Sequence, residues 1–245
     1  MANSKSEASF DAAFGAAFGA TFLARTLQFG DSMFPVGGFS FSCGLESAIQ
    51  KGVVKDASTL REFTRTAVEQ AARGDGIALV AAHRAACADD IDALIAIDKL
   101  VYARKLSQEM RMMSVRMGKK FAEMSAQMIS APLLSIWRER IETCQTPGCY
   151  PVALAISFAA QGLPALAAFT VHQYGVACAI LSAALRLMKV SHFETQGILY
   201  ELNGRAQAAY EVAAAAGLSD MAGYAPLTEV LGAVHAKAHV RLFMS

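Results

Sequence analysis

The chain has 245 residues, of which 54% are hydrophobic and 18% are charged, and its formal net charge is +1. Average soluble domains are about 45–50% apolar and about 25% charged, so these fractions exclude extensive disorder and indicate a large core or an apolar surface covered by a partner. A nearly neutral charge, with Lys and Arg spread along the chain, argues against nucleic acid as the main ligand.

Cysteine spacing and hydropathy bear on the cellular location. The five cysteines include no C-x-x-C pair, so no disulfide framework is implied and a reducing cytoplasm is the simplest location. Polar residues interrupt the apolar stretch 151–188, which therefore predicts two buried core helices and not a membrane span. We expect a cytoplasmic protein that does not bind a membrane.

The first predicted element is a helix over residues 10–29. Phe10, Phe14, Phe18 and Phe22 recur at every fourth residue and share one helix face. Such a face either packs on the core of the protein or docks on a partner. Two glycines weaken this helix, so it could remain loose until a partner binds.

A glycine-rich turn follows, and helical patterns fill most of the remaining chain. Asp56 is the predicted N-cap of the second long helix, and Gly74-Asp75-Gly76 is predicted to break that helix. Helices are predicted at 42–51, 56–73, 77–88, 89–105 with continuation to about 130, 151–161, 164–187, 192–202, 204–216 and 227–239. The fold class is all-α, a single-domain bundle of about ten helices.

Methionines recur on one side of the long helical stretch that ends near residue 130. The apolar stripe consists of Met110, Met113, Met117, Phe121, Met124 and Met128. Soft metals such as Cu(I) also bind methionine sulfur, but an apolar helix face packed in the core or in an adaptable interface is the interpretation we favour.

No catalytic motif stands out in the sequence. The chain has no Walker-type phosphate loop and no H-E-x-x-H zinc motif, and its glycine pair Gly37-Gly38 does not form a nucleophile elbow or a dinucleotide fingerprint. We therefore predict that the protein is not an enzyme and needs no cofactor of its own.

A few side chains remain as candidates for other chemistry. His235 and His239 lie one helical turn apart, so both imidazoles could face one metal ion. Two ligands are too few for a closed metal site, and a second copy of the chain would have to contribute another. Cys144 and Cys149 flank a Pro-Gly turn but match no common zinc module. Four charged residues on one helical stretch are interpreted as surface ion pairs, namely Asp98, Arg104, Glu109 and Arg111.

One segment resembles a known family strongly. The run from Phe34 to Glu46, with the sequence FPVGGFSFSCGLE, looks like the LPVGGFSxSxGLE signature of the urease accessory protein UreF family. Gly52 to Asp56, Tyr150 to Ala153, Ala184 to Leu187 and the ending Arg241 to Ser245 are also similar, and weak similarity covers nearly all of residues 22–245.

The resemblance implies a dimeric all-α protein that binds the accessory protein UreD (also called UreH) and recruits UreG, the GTPase that carries nickel to apo-urease. It also implies a partner surface. The candidate contacts are Pro35, Gly37, Gly38, Phe39, Ser40, Glu46, Asp98, Glu109, Arg186, Arg241, Leu242, Phe243 and Ser245. We expect an N-terminal extension at 1–21, the helical domain at 22–240 and a partner-binding tail at 241–245.

Several positions depart from the family pattern. Lys189-Val190-Ser191-His192 stands where the family favours Pro-Leu-Gly-Gln, and Gly76 follows Asp75 where a proline is usual. Two alternatives therefore stay open at this point. One is a divergent copy that serves another nickel enzyme, and the other is a metal-binding chaperone that uses His235 and His239.

Overall fold

The computed structural model describes residues 19–223, 225–235 and 242–243, apart from the side chains at positions 39, 228, 229, 232 and 235. The described residues form helices and connecting turns without a β-strand. The predicted all-α class and single-domain bundle are confirmed. Of the predicted N-terminal helix, the structure describes only the part after residue 18, so Phe10, Phe14 and Phe18 lie outside the description.

The helices are numbered here in chain order. They are α1 Ala20–Gly30, α2 Leu45–Gln50, α3 Ala57–Ala71, α4 Ile77–Cys87, α5 Ile91–Arg104, α6 Gln108–Met128, α7 Pro132–Glu142, α8 Tyr150–Ala159, α9 Ala165–Leu187, α10 His192–Asn203, α11 Ala206–Ala215 and α12 Pro226–His235. Short 3-10 helices span Gly38–Ser40 and Leu218–Asp220, and a π-helical turn spans Ala72–Gly76.

The helix starts follow from local sequence. Asp56 accepts a hydrogen bond from the backbone N–H of Thr59 and forms the predicted N-cap of α3. Ser191 and Glu194 form a reciprocal capping box at the start of α10. These side chains satisfy backbone donors that the first helical turn leaves without partners, so each start is fixed by a side chain close to it in sequence.

The predicted break at Gly74-Asp75-Gly76 is wrong. Residues Ala72–Gly76 form a π turn that joins α3 and α4 into one continuous helix. Gly76 keeps helical dihedral angles, φ −65° and ψ −42°. A Cβ atom there would lie 2.6 Å from Cε2 of Phe169, so this glycine permits close packing against α9 and does not end the helix.

The predicted stripe on α6 is confirmed in part. Phe121 is fully buried, and Met113 and Met124 pack half-buried against the core clusters, but Met128 is exposed and the methionines border the buried face. The buried face consists mainly of small residues, namely Ser114, Gly118, Ala122 and Ser125, together with Phe121. A Cβ atom at position 118 would collide with the backbone of Gly148, so the close approach to the segment before α8 requires glycine. The hydrophobic pattern predicted that the methionines form the buried face. The close contact between α6 and the segment before α8 leaves room only for small side chains.

No helix is predicted at 132–142, where the structure has α7. Pro132 occupies the first turn of this helix, and Leu134, Trp137 and Ile141 are buried along one side. Proline in the first turn followed by apolar residues three to four apart is a recognisable helix start, and this signal was available in the sequence.

The core consists of two apolar clusters that share α9. The first half of α9, including Phe169, belongs to the larger cluster with α4, α6 and α8. Its second half, including Ile180 and Ala184, belongs to the smaller cluster with α2, α3 and α10. Ala165–Leu187 is long and apolar enough to cross a membrane by length and composition, but half of its apolar window is buried inside the protein, as in a core helix.

Candidate functional site

The segment that resembles the family signature divides into an accessible part and a buried part. Pro35 is exposed, and Val36, Gly37, Gly38 and Ser40 are half-buried. All residues from 41 to 48 are buried. Only residues 35–40, called here the signature turn, can therefore present a surface to a partner, and the rest of the segment supports it from inside.

The signature turn is held by its own backbone. The N–H of Val36 donates to the carbonyl of Phe34 at 2.8 Å, and the N–H of Ser40 donates to the carbonyl of Gly37 at 3.2 Å. Gly37 has φ +79°, a conformation that glycine adopts without strain. Gly38 is limited by space instead, because a Cβ atom there would lie 3.3 Å from Cε of Met117. The side chain of Phe39 lies outside the description.

A second tight turn directs Glu46 into the protein. Cys43 and Gly44 both have positive φ, at +51° and +81°, immediately before α2. Glu46 lies in the first turn of α2 and is 4% exposed. Its carboxylate thus lies near the positive end of the helix dipole and inside the smaller apolar cluster. The resemblance made Glu46 a candidate partner contact, but did not predict its burial.

The buried carboxylate of Glu46 binds the C-terminal tail. Its Oε1 accepts a hydrogen bond from the N–H of Leu242 at 3.0 Å, and its Oε2 accepts one from the N–H of Phe243 at 3.2 Å. The guanidinium of Arg186, at the end of α9, lies 4.2 Å from the centre of the Phe243 ring. Glu46, Arg186, Leu242 and Phe243 together are called here the tail joint.

The tail joint brings together four candidate residues that are far apart in sequence. Phe243 is 6% exposed and Leu242 is 75% exposed, so the joint fixes one tail residue in the core and presents the other at the surface. A carboxylate that binds two consecutive N–H groups fixes the direction of the tail backbone as well as its position. Arg241 and Ser245 lie outside the described residues.

Asp98 has a different role from the one predicted. It is completely buried, so it is neither part of a surface ion pair nor able to contact a partner directly. Its carboxylate accepts hydrogen bonds from the Thr146 hydroxyl at 2.6 Å and from the N–H groups of Gly148 at 2.6 Å and Cys149 at 2.7 Å. Burial raises the pKa of Asp98, and the hydrogen bonds oppose that rise. Asp98 therefore holds the loop before α8.

The neighbouring charged residues are also not a set of surface ion pairs. Glu109 is 4% exposed in the first turn of α6, so it offers no surface to a partner. Arg104 donates a hydrogen bond to the carbonyl of Met221 at 2.5 Å, and Arg111 donates one to the carbonyl of Leu106 at 2.9 Å. Spacing along one helix predicted ion pairs on that helix, whereas Arg104 binds a distant backbone carbonyl and Arg111 binds a carbonyl in the turn just before α6.

A partly buried ionic cluster at the π turn was missed by sequence reasoning. The ammonium of Lys105 lies 2.8 Å from the carboxylate of Asp75, and His172 Nε2 lies 3.7 Å from the same carboxylate. Burial is the largest single influence on Asp75 and raises its pKa, but Lys105 and His172 together outweigh burial and hold that pKa well below its usual range. The missed signal is a charged residue inside a glycine-flanked helical stretch, Gly74-Asp75-Gly76.

The metal-ligand candidates gain no support from geometry. In the part of the chain that the structure describes, no group of three His, Cys, Asp or Glu side chains could hold an ion. Cys149 is buried beside Asp98, and burial raises the pKa of its thiol, whereas Cys144 is exposed. His239 and the side chain of His235 lie outside the description.

Fold and site together define a class of protein: an all-helical protein in which a glycine-rich turn and a docked tail adjoin one long core helix. The UreF family model matches residues 54–203. UreF 2, a urease accessory protein of Brucella canis, is 56% identical over 223 residues, covering 91% of this chain and 92% of that protein. UreF of Yersinia enterocolitica is 53% identical over 221 residues, covering 90% and 97%. The chain belongs to the UreF family of urease accessory proteins.

Proposed function

We propose that this protein is a cytoplasmic urease maturation factor that binds UreD (UreH), recruits the GTPase UreG and so aids nickel insertion into apo-urease. The observation that carries the proposal is the similarity along nearly the whole chain to proteins named urease accessory protein, at 56% and 53% identity. In this role the protein is not a catalyst. Nickel is cargo of the assembly, and this chain contributes binding surfaces and no cofactor.

The geometry supports two contact regions for these partners, each of which lies against α9. The signature turn packs against α9 and places Pro35 and Gly37 at the surface. The tail joint lies at the end of α9 and presents Leu242. In the proposal these accessible residues contact a partner, together with Arg241 and Ser245. Buried Glu46 and Phe243 set the position of the tail and do not contact the partner themselves.

The described surface also has apolar residues that a partner or a second copy would cover. Phe193 and Tyr200 lie two turns apart on α10 and are 91% and 85% exposed. Met33, just before the signature turn, is 86% exposed. Aromatic residues and methionine are enriched at interface centres. Such residues favour a protein that works within an assembly, and we include a homodimer in the proposal.

Co-expression with the UreD and UreG homologues tests the proposal. We expect the wild-type chain to give one assembly containing all three proteins, measured as a mass by size exclusion with light scattering. We also expect urease activity to appear when apo-urease, nickel and GTP are added to that assembly. Absence of any association between the wild-type chain and either homologue would overturn the proposal.

Variants at the tail joint test the proposed surface. Arg186→Lys keeps the charge but removes the flat guanidinium that stacks on Phe243, and Glu46→Gln removes one of two acceptor oxygens. We expect both variants to keep the helical fold, measured by thermal unfolding, and to reduce assembly. The matched controls Arg138→Lys and Glu142→Gln alter an exposed ion pair on α7 and should assemble normally. Equal loss in all four variants would show that the joint has no special role.

A further inference from the structure

We propose that the thiol of Cys87 is a modification site that exchanges with low-molecular-weight disulfides, such as oxidised glutathione, and that His83 is the base for this exchange. Both residues lie on α4, and Cys87 is its last residue. Cys87 Sγ lies 3.7 Å from Nδ1 of His83, within reach of a hydrogen bond that involves sulfur. This inference does not depend on urease, UreD or UreG.

The hydrogen bond at the other ring nitrogen of His83 fixes the position of its proton. Nε2 lies 2.8 Å from the carbonyl oxygen of Leu163, in the loop before α9. A carbonyl oxygen can only accept, so Nε2 carries the proton and Nδ1 of the neutral ring presents a lone pair. His83 is 8% exposed, and burial lowers its pKa against the opposing effect of the Leu163 carbonyl, so the ring is neutral at pH 7. Nδ1 therefore accepts the thiol proton of Cys87.

The three groups form an arrangement that activates nucleophiles in proteins, namely a nucleophile, a base and a group that orients the base. Here Cys87 is the nucleophile, His83 is the base and the Leu163 carbonyl orients the ring. The helix sets the spacing of the first two, because residues four apart lie on one helix face. Cys87 is exposed, so a dissolved reagent reaches its sulfur without unfolding of the protein.

Burial, and not a neighbouring charge, lowers the pKa of the imidazole. Two charged side chains next to the pair in sequence bind elsewhere. Arg84 donates a hydrogen bond to the carbonyl of Ala214 at 2.7 Å, and Asp90 accepts one from the N–H of Ala93 at 2.9 Å. The third, Asp89, is exposed to solvent. The neutral state of the ring therefore follows from its burial.

Exposure and a neighbouring base occur together at Cys87 and not at the other four cysteines. Cys43 and Cys149 are buried, and burial raises the pKa of both thiols, to about 11 for Cys43. Cys178 is half-buried, and burial raises its pKa as well. Cys144 is exposed, but no imidazole among the described residues forms a hydrogen bond with its sulfur. Cys144 is thus a matched control within the same molecule.

The proposed exchange balances in bonds, protons and electrons. Nδ1 of His83 takes the thiol proton, and Cys87 Sγ attacks one sulfur of the small disulfide. The S–S bond of that disulfide breaks while a new S–S bond forms to Cys87. The other half leaves as a thiolate and takes the proton from the imidazolium. One disulfide is consumed and one is formed, so the exchange requires no further oxidant.

Peptide mass spectrometry of the full wild-type chain tests the proposal. The protein is incubated with oxidised glutathione at pH 7 and quenched with acid, and the glutathione bound at each cysteine is measured over time. We expect the initial rate at Cys87 to exceed that at Cys144 by at least about five-fold, because only Cys87 has a base. Equal rates at these two exposed thiols, or a faster reaction at Cys144, would overturn the proposal.

The variant His83→Gln separates the base from the hydrogen bond that orients it. A glutamine amide can donate to the Leu163 carbonyl but has no basic nitrogen. We expect the rate at Cys87 to fall to that at Cys144, while the rate at Cys144 stays the same. An unchanged rate at Cys87 would show that His83 is not the base. Reaction at the buried Cys149 would reveal a misfolded variant, and the pH profile of the wild type then decides.

The pH profile of the wild type needs no variant. An exposed thiol without a base reacts only as its thiolate, so its rate falls about ten-fold for each pH unit below about 8.5. At Cys87 the neutral imidazole accepts the proton, so the rate between pH 8 and pH 6.5 should fall by less than about three-fold per pH unit. The rate at Cys144 should fall with the steeper slope. Equal slopes at the two cysteines would contradict a base at Cys87.

Discussion

Asp98 and Glu46 are both buried carboxylates that bind consecutive backbone N–H groups, but they hold different kinds of segment. Asp98 holds the Gly148–Cys149 corner of a loop enclosed between α7 and α8, where every donor is buried. Glu46 holds residues 242 and 243 of the tail, where Leu242 is 75% exposed. The same chemistry thus closes the interior in one region and attaches a surface segment in the other.

This difference has an energetic consequence. Opening the Asp98 loop would expose the larger core cluster, whereas opening the tail joint would expose chiefly Phe243 and its immediate neighbours. Local opening costs less free energy where fewer buried contacts are lost. We therefore expect changes at Asp98 to lower the global free energy of unfolding, and changes at the tail joint to act mainly on the tail and on partner binding.

The largest expected effect is that of Asp98→Ala. Two buried N–H groups lose their acceptor, at about 1–3 kcal/mol each, so the free energy of unfolding should fall by about 2–6 kcal/mol. Chemical denaturation measures this. Asp98→Asn keeps one acceptor oxygen and should lose less. Equal stability of the wild type and Asp98→Ala would show that Asp98 does not contribute to global stability, and that it does not differ from Glu46 in this way.

The next effect concerns the backbone that lies against the same loop. In Gly118→Ala, the added Cβ meets the backbone of Gly148 and Cys149, which Asp98 prevents from moving, so we expect a loss of about 3 kcal/mol. Gly175→Ala is the matched control, since a Cβ on that α9 glycine meets nothing within 4 Å. The control should be neutral or stabilising by up to about 1 kcal/mol. Thermal unfolding of both variants measures the difference, and similar values would show that the space at Gly118 is not limiting.

Sequence predicted the helices far better than it predicted the burial of charged residues. Helix positions follow from caps such as Asp56 and from spacing along one segment, and both are local. The partners of Asp98 and Glu46 lie about 50 and about 196 residues further along the chain, as the pairs Asp98–Gly148 and Glu46–Leu242 show. No pattern within one helix reports such contacts.

The signature motif predicted a partner surface as a whole and did not distinguish the roles of its individual residues. It placed Glu46 with the partner surface, whereas the structure places it beneath the tail. The two glycines of the signature turn are required for different physical reasons, which the sequence pattern does not reveal. Gly37 requires its backbone conformation, and Gly38 requires the space beside Met117.

A third carboxylate, Asp75, is only partly buried, and its pH dependence extends the comparison. Burial raises the pKa of Asp75, but Lys105 and His172 together hold it below the usual range. The stability that Asp75 contributes is therefore present above about pH 4, the ordinary value for Asp, and is lost as the pH falls below it. Asp75→Asn should lower the free energy of unfolding by about 1–2 kcal/mol at pH 7. The difference from the wild type should shrink as the pH is lowered from 5 towards 2.

The stability contributed by Asp98 should change with pH in the opposite direction to that contributed by Asp75. Its pKa is raised by burial, so the folded state binds a proton more readily than the unfolded state, and the wild type gains stability relative to Asp98→Asn as the pH falls through the raised value. Denaturation curves at several pH values test both statements. The free energy of unfolding of Asp75→Asn and Asp98→Asn, each relative to the wild type, could instead change with pH in the same direction. That result would contradict the opposite pKa shifts assigned to the ion-paired Asp75 and to Asp98, which binds backbone N–H groups.

The smallest effect is expected from Phe243→Leu. Leucine keeps most of the apolar contact but removes the ring that stacks on Arg186, an interaction of about 0.5–1 kcal/mol at a partly exposed site. Amide exchange of residues 242 and 243, followed by NMR, should therefore become about two- to five-fold faster while global stability hardly changes. In an Arg186→Met background the same substitution should have little further effect, since the stacking partner is already absent. If Phe243→Leu instead lowers global stability as much as Asp98→Asn does, then the tail is part of the cooperative core, and the distinction between an enclosed loop and an attached surface segment fails.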